Sequence, residues 1–483
     1  MDDTLQDLLR YAAKQGVQLE GITPRRLPGR GYGMVATRDV REGETVLKVP
    51  TRALRTLATV PKAISRKLDR DVSVHGILAA HLVLDDAGDD AAWDAVLPTP
   101  EDLEAGMPLL WPTKLRELLP TPARAALQRQ QTKLNADWES VKAAFADGEE
   151  DKDSPEAKET RKAEKAKTKD DKGDKSDKSD SNSNSNSKGK GKKKPWGLTK
   201  SNYVRAWLLV NSRTFYYTTP RSEAALPSHD DRIAMQPVAD LFNHAADHGC
   251  KAAYAAQGFS FVADRVYREG DEVPISYGAH ANDALLVEYG FVLDENRWDE
   301  ASLDAVLLPR LASSPGDIVR EDLEAAGFWG SYMIDAATPG GCYRTQVALR
   351  RLLCGSNATA APGTGTRTGT TSAARRRAWQ QFVEGGGDDE DESDASKRAL
   401  RDLLLECLDD MAELANKTLG KLERLGKAGV GSDSQRNLLA LRWKQIEALV
   451  AQAAKKLRED DKAEGEEKEP VARRETKTAK KSK

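Results

Sequence analysis

From about Asp147 to Lys194 the chain carries Lys, Asp, Glu and Ser with almost no large apolar side chain, closing on an Asn-Ser repeat and Lys192-Lys193-Lys194. Such a segment cannot bury enough apolar surface to offset the ordering entropy of its backbone, so it reads as disordered. Any fold must therefore be assembled from the sequence on either side. Charged residues make up 31% of the chain, above the roughly 25% of ordinary globular domains, and the excess is unevenly spread. With 483 residues and a hydrophobic fraction of 39%, enough remains for a core and for two domains plus linkers.

The net charge of -3 gives no global attraction to nucleic acid or to an anionic membrane. The Lys-rich stretch from Lys188 to Lys194 follows interleaved Asp and Glu that weaken its field, so nucleic acid is not an expected partner. Cys250, Cys342, Cys354 and Cys407 are far apart, which indicates neither a zinc cluster nor a disulfide framework; no metal is expected, and a reducing compartment fits. The acidic N-terminus shows no secretory signal, and no apolar run approaches the roughly 18 residues that span a bilayer. A soluble protein of the cytoplasm, the nucleus or both is expected.

Residues 3–15 read as an amphipathic helix capped by Asp3, with Leu5, Leu8, Leu9 and Ala12 on one face. From Gly21 to Pro50 short β-type runs such as Met34-Val35-Ala36 and Thr45 to Val49 flank the turn Arg41-Glu42-Gly43. Residues 74–145 are mainly helical, and a further helix is expected from Tyr203 to Phe215. Short strands to Tyr277 and a helix from Ala281 to Tyr289 follow. After the Gly/Thr/Ser-rich stretch at 355–372 and an acidic run at 388–394, both read as loops, two long helices begin. One carries Leu400, Leu404, Cys407, Leu408 and Met411; the other, capped by Asp433, carries Leu439, Trp443, Ile446 and Val450.

Four short clusters carry candidate chemistry, each with an ordinary structural reading beside it. Gly29-Arg30-Gly31-Tyr32-Gly33-Met34 lets the backbone turn tightly and approach a ligand closely, yet alone it fits a plain β-turn. It is not the dinucleotide fingerprint, whose third glycine and following helix are missing. Asp240-Leu241-Phe242-Asn243-His244 sets a carboxamide beside an imidazole, able to bind an amino-acid group or an adenine edge; a helix end with a structural histidine is the plainer alternative. Ile275-Ser276-Tyr277-Gly278, at a strand end, either projects a phenol into a cleft or buries a core tyrosine. Glu288-Tyr289-Gly290-Phe291-Val292 ends the next helix, with Gly290 as its C-terminal cap and its aromatics divided between core and pocket.

Together and in order, these clusters resemble the SET-domain protein methyltransferases. The resemblance is to the branch typified by the plant Rubisco large-subunit methyltransferase, which includes fungal enzymes acting on ribosomal proteins and elongation factors. Trp93-Asp94-Ala95-Val96-Leu97-Pro98, Leu110-Trp111, the run from Ala206 to Phe215 and, above all, Ser276 to Trp298 support it. The resemblance implies an α+β fold: an N-terminal helix within 1–20 and a SET-domain β-fold over 21–278, with a helical insert at about 74–145 and the disordered segment at about 147–194. A connecting segment at 279–310, an all-α substrate-binding domain at 311–458 with flexible loops at about 355–397, and a disordered charged tail at 459–483 complete it.

It also implies S-adenosyl-L-methionine as cofactor. Gly31, Tyr32 and Gly33 would contact its methionine part through their backbone. Arg213 and Asn243-His244 would hold the amino-acid end and the adenine, with Asp240 and Ser212 nearby and Phe291 against the adenine. Tyr277, also at the cofactor, matches the family's catalytic tyrosine, and Tyr289 matches an aromatic beside the target amine in lysine-specific members. Asn211 stands where a basic residue is common, and the long charged segment has no fixed counterpart. The implied activity is a protein-lysine N-methyltransferase, a monomer acting on a lysine-bearing protein such as a ribosomal protein or elongation factor. The lack of clustered cysteines after Tyr277 points away from histones. Two alternatives stay open: methylation of a protein histidine, and a non-catalytic SET-fold interaction scaffold, against which the intact Gly31, Asn243, His244 and Tyr277 speak.

Overall fold

The computed structural model describes residues 2–68, 72–85, 90–145, 197–219, 223–224, 226, 228–255, 257–313, 318–355, 372–385 and 394–467. The segment read as disordered at 147–194 lies outside them, as does the tail beyond Glu467. The chain divides into two compact units, Met1–Leu103 with Arg129–Ser276, and Glu104–Gln128 with Tyr277–Lys483. This division departs from the boundaries read from sequence. Glu104–Gln128, assigned there to the insert of the SET region, belongs to the second unit, because Trp111, Leu115, Leu119 and Leu127 bury in that unit's core.

The first unit contains helices α1 (Asp3–Lys14), α2 (Val74–Leu84), most of α3 (Thr121–Phe145) and α4 (Lys200–Arg213). Its strands are β1 (Gln18–Leu19), β2 (Ile22–Leu27), β3 (Gly31–Ala36), β4 (Thr45–Pro50), β5 (Thr214–Tyr216), β6 (Ile233–Met235), β7 (Lys251–Ala255) and β8 (Gly258–Val262). An antiparallel sheet runs in the order β1-β4-β8-β7, beside the hairpin β2–β3 and the pair β5–β6. Strand β8 alternates its side chains between faces, so Phe259 and Phe261 point the same way. Phe261 stacks on Phe242 with ring centroids 5.3 Å apart, and Phe215 meets Phe259 and Phe261 edge-on at 6.2 and 5.9 Å. Phe215 was expected within a helix; α4 instead stops at Arg213, and Thr214, Phe215 and Tyr216 pair with β6, where aromatic and β-branched side chains pack well.

Asp2, not Asp3, caps α1 by accepting the Thr4 N–H at 3.1 Å. Helices α2 and α4 meet through polar groups satisfied inside the protein. The His75 ring stacks on Trp207 at 4.2 Å with its Nε2 3.1 Å from the Trp207 carbonyl, and Asp137 of α3 accepts from the Trp207 indole and from the Ser73 backbone and hydroxyl. Burial pushes the His75 imidazole down to about 3, so it stays neutral and serves packing.

The second unit is built from α5 (Asn282–Tyr289), α6 (Asp304–Ala312), α7 (Ile318–Ala325), α8 (Tyr343–Gly355), α9 (Ser372–Val383), α10 (Asp394–Lys427) and α11 (Asp433–Glu467), with the antiparallel pair β9 (Glu300–Ser302) and β10 (Met333–Asp335). The 3.6-residue periods read from the sequence face one another here: Leu404, Cys407, Leu408 and Met411 of α10 share a buried core with Leu439, Trp443, Ile446 and Val450 of α11. Four details differ from the expectation. Strand β10 lies within 311–458, the span read as all-α, because Met333–Asp335 pair with β9. The loops placed at 355–397 contain α9, whose Trp379 is buried and donates to the Val347 carbonyl at 3.0 Å. The tail placed at 459–483 begins as the last turns of α11. The cap of α11 is Ser432, because Gln435 answers it in a reciprocal capping box, each side chain bonding the other's backbone N–H. Among the described residues no helix is long and apolar enough to cross a membrane.

Candidate functional site

In the first unit the hairpin closes with Leu27 opposite Gly31, so Gly31, Tyr32 and Gly33 open strand β3 and the turn itself is Pro28-Gly29-Arg30. Gly33 brings two of the sequence clusters together. A Cβ on it would stand 2.7 Å from the Asn243 amide nitrogen, 2.5 Å from Leu27 Cδ1 and 3.2 Å from Glu272 Oε1, so any side chain there would have to displace the Asn243 carboxamide and its neighbours. That carboxamide donates to Glu272 Oε1 at 2.8 Å, while Glu272 Oε2 accepts from Arg30 at 2.6 Å. The main chain holds the same arrangement. Val273 N–H donates to the Met34 carbonyl at 2.8 Å, Ile275 N–H to Asn243 at 2.9 Å and Ala245 N–H to Ile275 at 3.0 Å, which lays residues 273–275 between β3 and the Asn-His segment. Ile275, expected to end a strand, instead forms isolated parallel bridges to His244 and Cys250.

Asp240 opens the Asn-His segment, in the one-turn 3-10 helix Ala239–Leu241. The turn is entered through Val238 at φ 70°, a left-handed conformation that a β-branched residue adopts only under strain of about 1–3 kcal/mol. Leu241 and Phe242 anchor it in the core. Asp240 is 4% exposed; its Oδ2 accepts the Trp93 indole N–H at 2.7 Å, and its Oδ1 has no hydrogen-bond partner among the described residues. Burial pushes this carboxyl up to about 6 against the opposing pull of the Arg213 guanidinium and the indole. Arg213, at the end of α4, donates to the Asp240 carbonyl, so the guanidinium supports the same turn.

Two further residues assigned to the cofactor have side chains bonded to other groups of the first unit. The Ser212 hydroxyl donates to the Leu208 carbonyl at 2.8 Å within its own helix, and the Tyr32 phenol donates to Asp2 at 3.2 Å. Bare backbone at Gly31 and Gly33, a carboxamide, an imidazole, a guanidinium and a buried carboxylate oxygen with no partner among the described residues form a set of donors and acceptors that fits an amino-acid zwitterion joined to adenine.

The second unit holds Tyr277, Tyr289 and Phe291. Helix α5 ends on Gly290 at φ 81°, ψ 22°, whose N–H satisfies the Leu285 and Leu286 carbonyls at 3.0 and 3.2 Å. No Cβ would fit there either, because Met107 Sδ would lie 2.8 Å away and the Gly106 backbone 3.1 Å. The chain so directed gathers its aromatics: Tyr277 lies 5.0 Å from Tyr289 and 6.4 Å from Phe291, and Tyr289 lies 6.3 Å from Phe291, centroid to centroid, in tilted and edge-on geometries. The His280 ring stands 6.0 Å from Tyr289, with Nε2 3.2 Å from the Tyr277 carbonyl. Burial, then the neighbouring Tyr277 and Glu288, pushes the Tyr289 phenol up to about 12.

Glu272, Trp93 and His280 were missed as site residues. Glu272 follows the turn residues Gly270-Asp271 and reads as solvated loop, His280 has no periodic neighbours, and Trp93 entered only as part of a family match.

The SET domain family model matches residues 31–278. The SET domain-containing protein 4 of Mus musculus is 24% identical over 460 residues, spanning 92% of this chain and 90% of that protein. A ribosomal lysine N-methyltransferase of Schizosaccharomyces pombe is 26% identical over 202 residues, 41% of this chain and 48% of the relative, so the match spans about half the length of that protein. The solved structure of the Rubisco LSMT bound to AdoMet superimposes with a TM-score of 0.55 at 15% identity, over 95% of this chain and 92% of that one, a likeness of fold that agrees with the α+β architecture. Since the family match takes in more than half of the 483 residues, Gly31, Asn243, His244 and Tyr277 among them, the protein belongs to the SET-domain family.

Proposed function

We propose that the protein is a protein-lysine N-methyltransferase that uses S-adenosylmethionine and acts on a lysine-bearing, non-histone protein of the translation machinery. The observation that carries this reading is the aromatic cluster of Tyr277, Tyr289 and Phe291, with centroids 5.0 to 6.4 Å apart. When bound, S-adenosylmethionine supplies a methyl group activated by its sulfonium. The backbone at Gly31–Gly33, Asn243, His244 and Arg213 would hold it, with the Trp93–Asp240 hydrogen bond steadying the Asn-His segment.

A lysine ammonium has a pKa of about 10.4, so presenting it uncharged near neutral pH costs about 4 kcal/mol. Aromatic walls that exclude water disfavour the charged form and lower that cost. Tyr289, whose phenol is pushed up to about 12, keeps its proton and does not act as a base. The Tyr277 hydroxyl oxygen is an acceptor for weak C–H hydrogen bonds, suited to orientation rather than proton removal. Alignment and exclusion of water then supply most of the acceleration.

The translation-machinery target is supported by the name of the Schizosaccharomyces pombe relative and by the lack of clustered cysteines after Tyr277. A monomer working in the cytoplasm, the nucleus or both belongs to the same proposal. The test is incubation of the full chain with labelled S-adenosylmethionine and cell extract, followed by mass spectrometry of the labelled band. Methyllysine on a ribosomal protein or elongation factor is the expected product; methylhistidine, or no label on any protein, would overturn the reading. Tyr277→Phe should lower turnover about 100-fold or more while calorimetry shows cofactor affinity within a few-fold.

A further inference from the structure

Helix α11 does more than close the helical core. Its Arg442 is 0% exposed, a location a guanidinium occupies only when its charge is matched. Nε donates to Asp283 Oδ1 at 2.8 Å, one terminal nitrogen to Asp299 Oδ2 at 2.7 Å and the other to the Glu300 carbonyl at 2.8 Å. Asp283 stands in the first turn of α5, the helix that ends on Tyr289, and Asp299 closes the loop that begins at Phe291.

Gln445 lies on the same face of α11, three residues on. Its Nε2 donates to the Leu293 carbonyl at 2.8 Å, and its Oε1 accepts from Asn282 at 3.0 Å. Asn282 is itself a hub. It donates to the Leu293 carbonyl and accepts from the Leu293 N–H and the Asn296 amide, and its own N–H reaches Asp299 at 3.1 Å. Asn296 in turn donates to the His280 carbonyl at 2.9 Å. Residues 280–299, which carry Tyr289 and Phe291, are thus tied at both ends to two side chains of α11.

A buried ion pair is seldom more stabilising than well-packed hydrocarbon, and its best-attested use is to specify one register among several. We infer that Arg442 and Gln445 are positioning residues: they set the placement of Tyr289 and Phe291 against Tyr277 and so tune methyl transfer without touching the reacting groups. This rests on the proposed reaction.

The experiment compares the full chain with Gln445→Leu, a half-buried position whose loss leaves the ion pairs intact, and with the double variant Gln445→Leu/Asn282→Leu. Both are labelled with 3-fluorotyrosine, the Tyr289 signal being assigned through Tyr289→Phe. Gln445→Leu should lower kcat about 10-fold or more while KM for S-adenosylmethionine stays within about twofold. The Tyr289 fluorine resonance should shift or broaden while that of Tyr203 stays in place, and the double variant should lose little further kcat. Unchanged kcat and an unchanged Tyr289 resonance would overturn the inference, and so would a lowered Tm with kcat intact. If the unaltered protein methylates nothing, the proposed reaction fails, and the fluorine spectrum alone decides the positioning: a moved Tyr289 signal sustains it, an unmoved one overturns it.

Discussion

The Asn-His segment at 239–245 and the aromatic segment at 277–299 are secured by different chemistry. The first is held chiefly by main-chain hydrogen bonds, Ile275 to Asn243 and Ala245 to Ile275, with one strained residue at Val238 and one acid at Asp240 whose second oxygen has no hydrogen-bond partner among the described residues. The second is held by side chains reaching from another element, Arg442 and Gln445 of α11. Main-chain bonds tolerate many side chains, since every residue but proline offers both groups. A side-chain clamp fails on a single substitution. The Asn-His motif therefore keeps its place largely through its backbone, with Trp93, Arg213 and Glu272 adding side-chain bonds, while the aromatic cluster depends on residues that belong to no motif.

The largest effect should come from breaking the clamp outright. Arg442→Met leaves Asp283 and Asp299 buried without their cation and should cost about 3–5 kcal/mol in urea unfolding, with Asp283→Asn and Asp299→Asn added together restoring most of it. A loss below about 1 kcal/mol would mean that the second segment is held by its backbone as well, and the contrast would disappear.

Asp240 sharpens the other side. Its carboxyl is raised from 3.8 to about 6 in the folded protein, so folding favours the protonated form. Its favourable contribution is complete below about pH 4, is lost as the pH rises towards 6, and the deficit then levels off at about 3 kcal/mol. Asp240→Asn, which cannot ionise, should gain that much over the parent chain between pH 4 and pH 7 in denaturant titrations. A constant difference across those pH values would show that the Asp240 carboxylate is fully satisfied.

The smallest effect is expected at Gly33. Gly33→Ala crowds the Asn243 amide and should cost about 1–2 kcal/mol, read as weaker binding of S-adenosylmethionine in calorimetry with kcat at saturation little changed. Unaltered affinity would remove Asn243 from the cofactor site and leave its segment a purely structural ladder.

Much of the fold was legible where local chemistry decides it. The periods of α10 and α11 came through because one face of each helix is apolar, and Gly290 was recognisable as a cap because a left-handed residue at a helix end is nearly always glycine. Reading failed where two local signals compete. Asp433 looked like the cap of α11, but Ser432 holds it through Gln435, and Phe215 continued an apolar helical run yet pairs in a strand. Of the candidate site, the residue types were visible and most partners were not. Asp240 stood in the motif as a ligand-binding acid, and its indole partner Trp93 lies far back along the chain.

The sequence by itself determined which chemistry is available: a bare backbone at Gly31 and Gly33, a carboxamide beside an imidazole at Asn243-His244, and tyrosines at 277 and 289 around a helix that Gly290 must end. Only the tertiary structure decided that Gly33 makes room for Asn243, that the buried Asp240 accepts from Trp93, and that Arg442 is enclosed by Asp283 and Asp299. The reason is that turns, caps and periodicity depend on neighbours in the chain, whereas a buried charge depends on partners that are remote in sequence. Between Leu441 and Trp443, Arg442 looks like any solvated arginine on a helix.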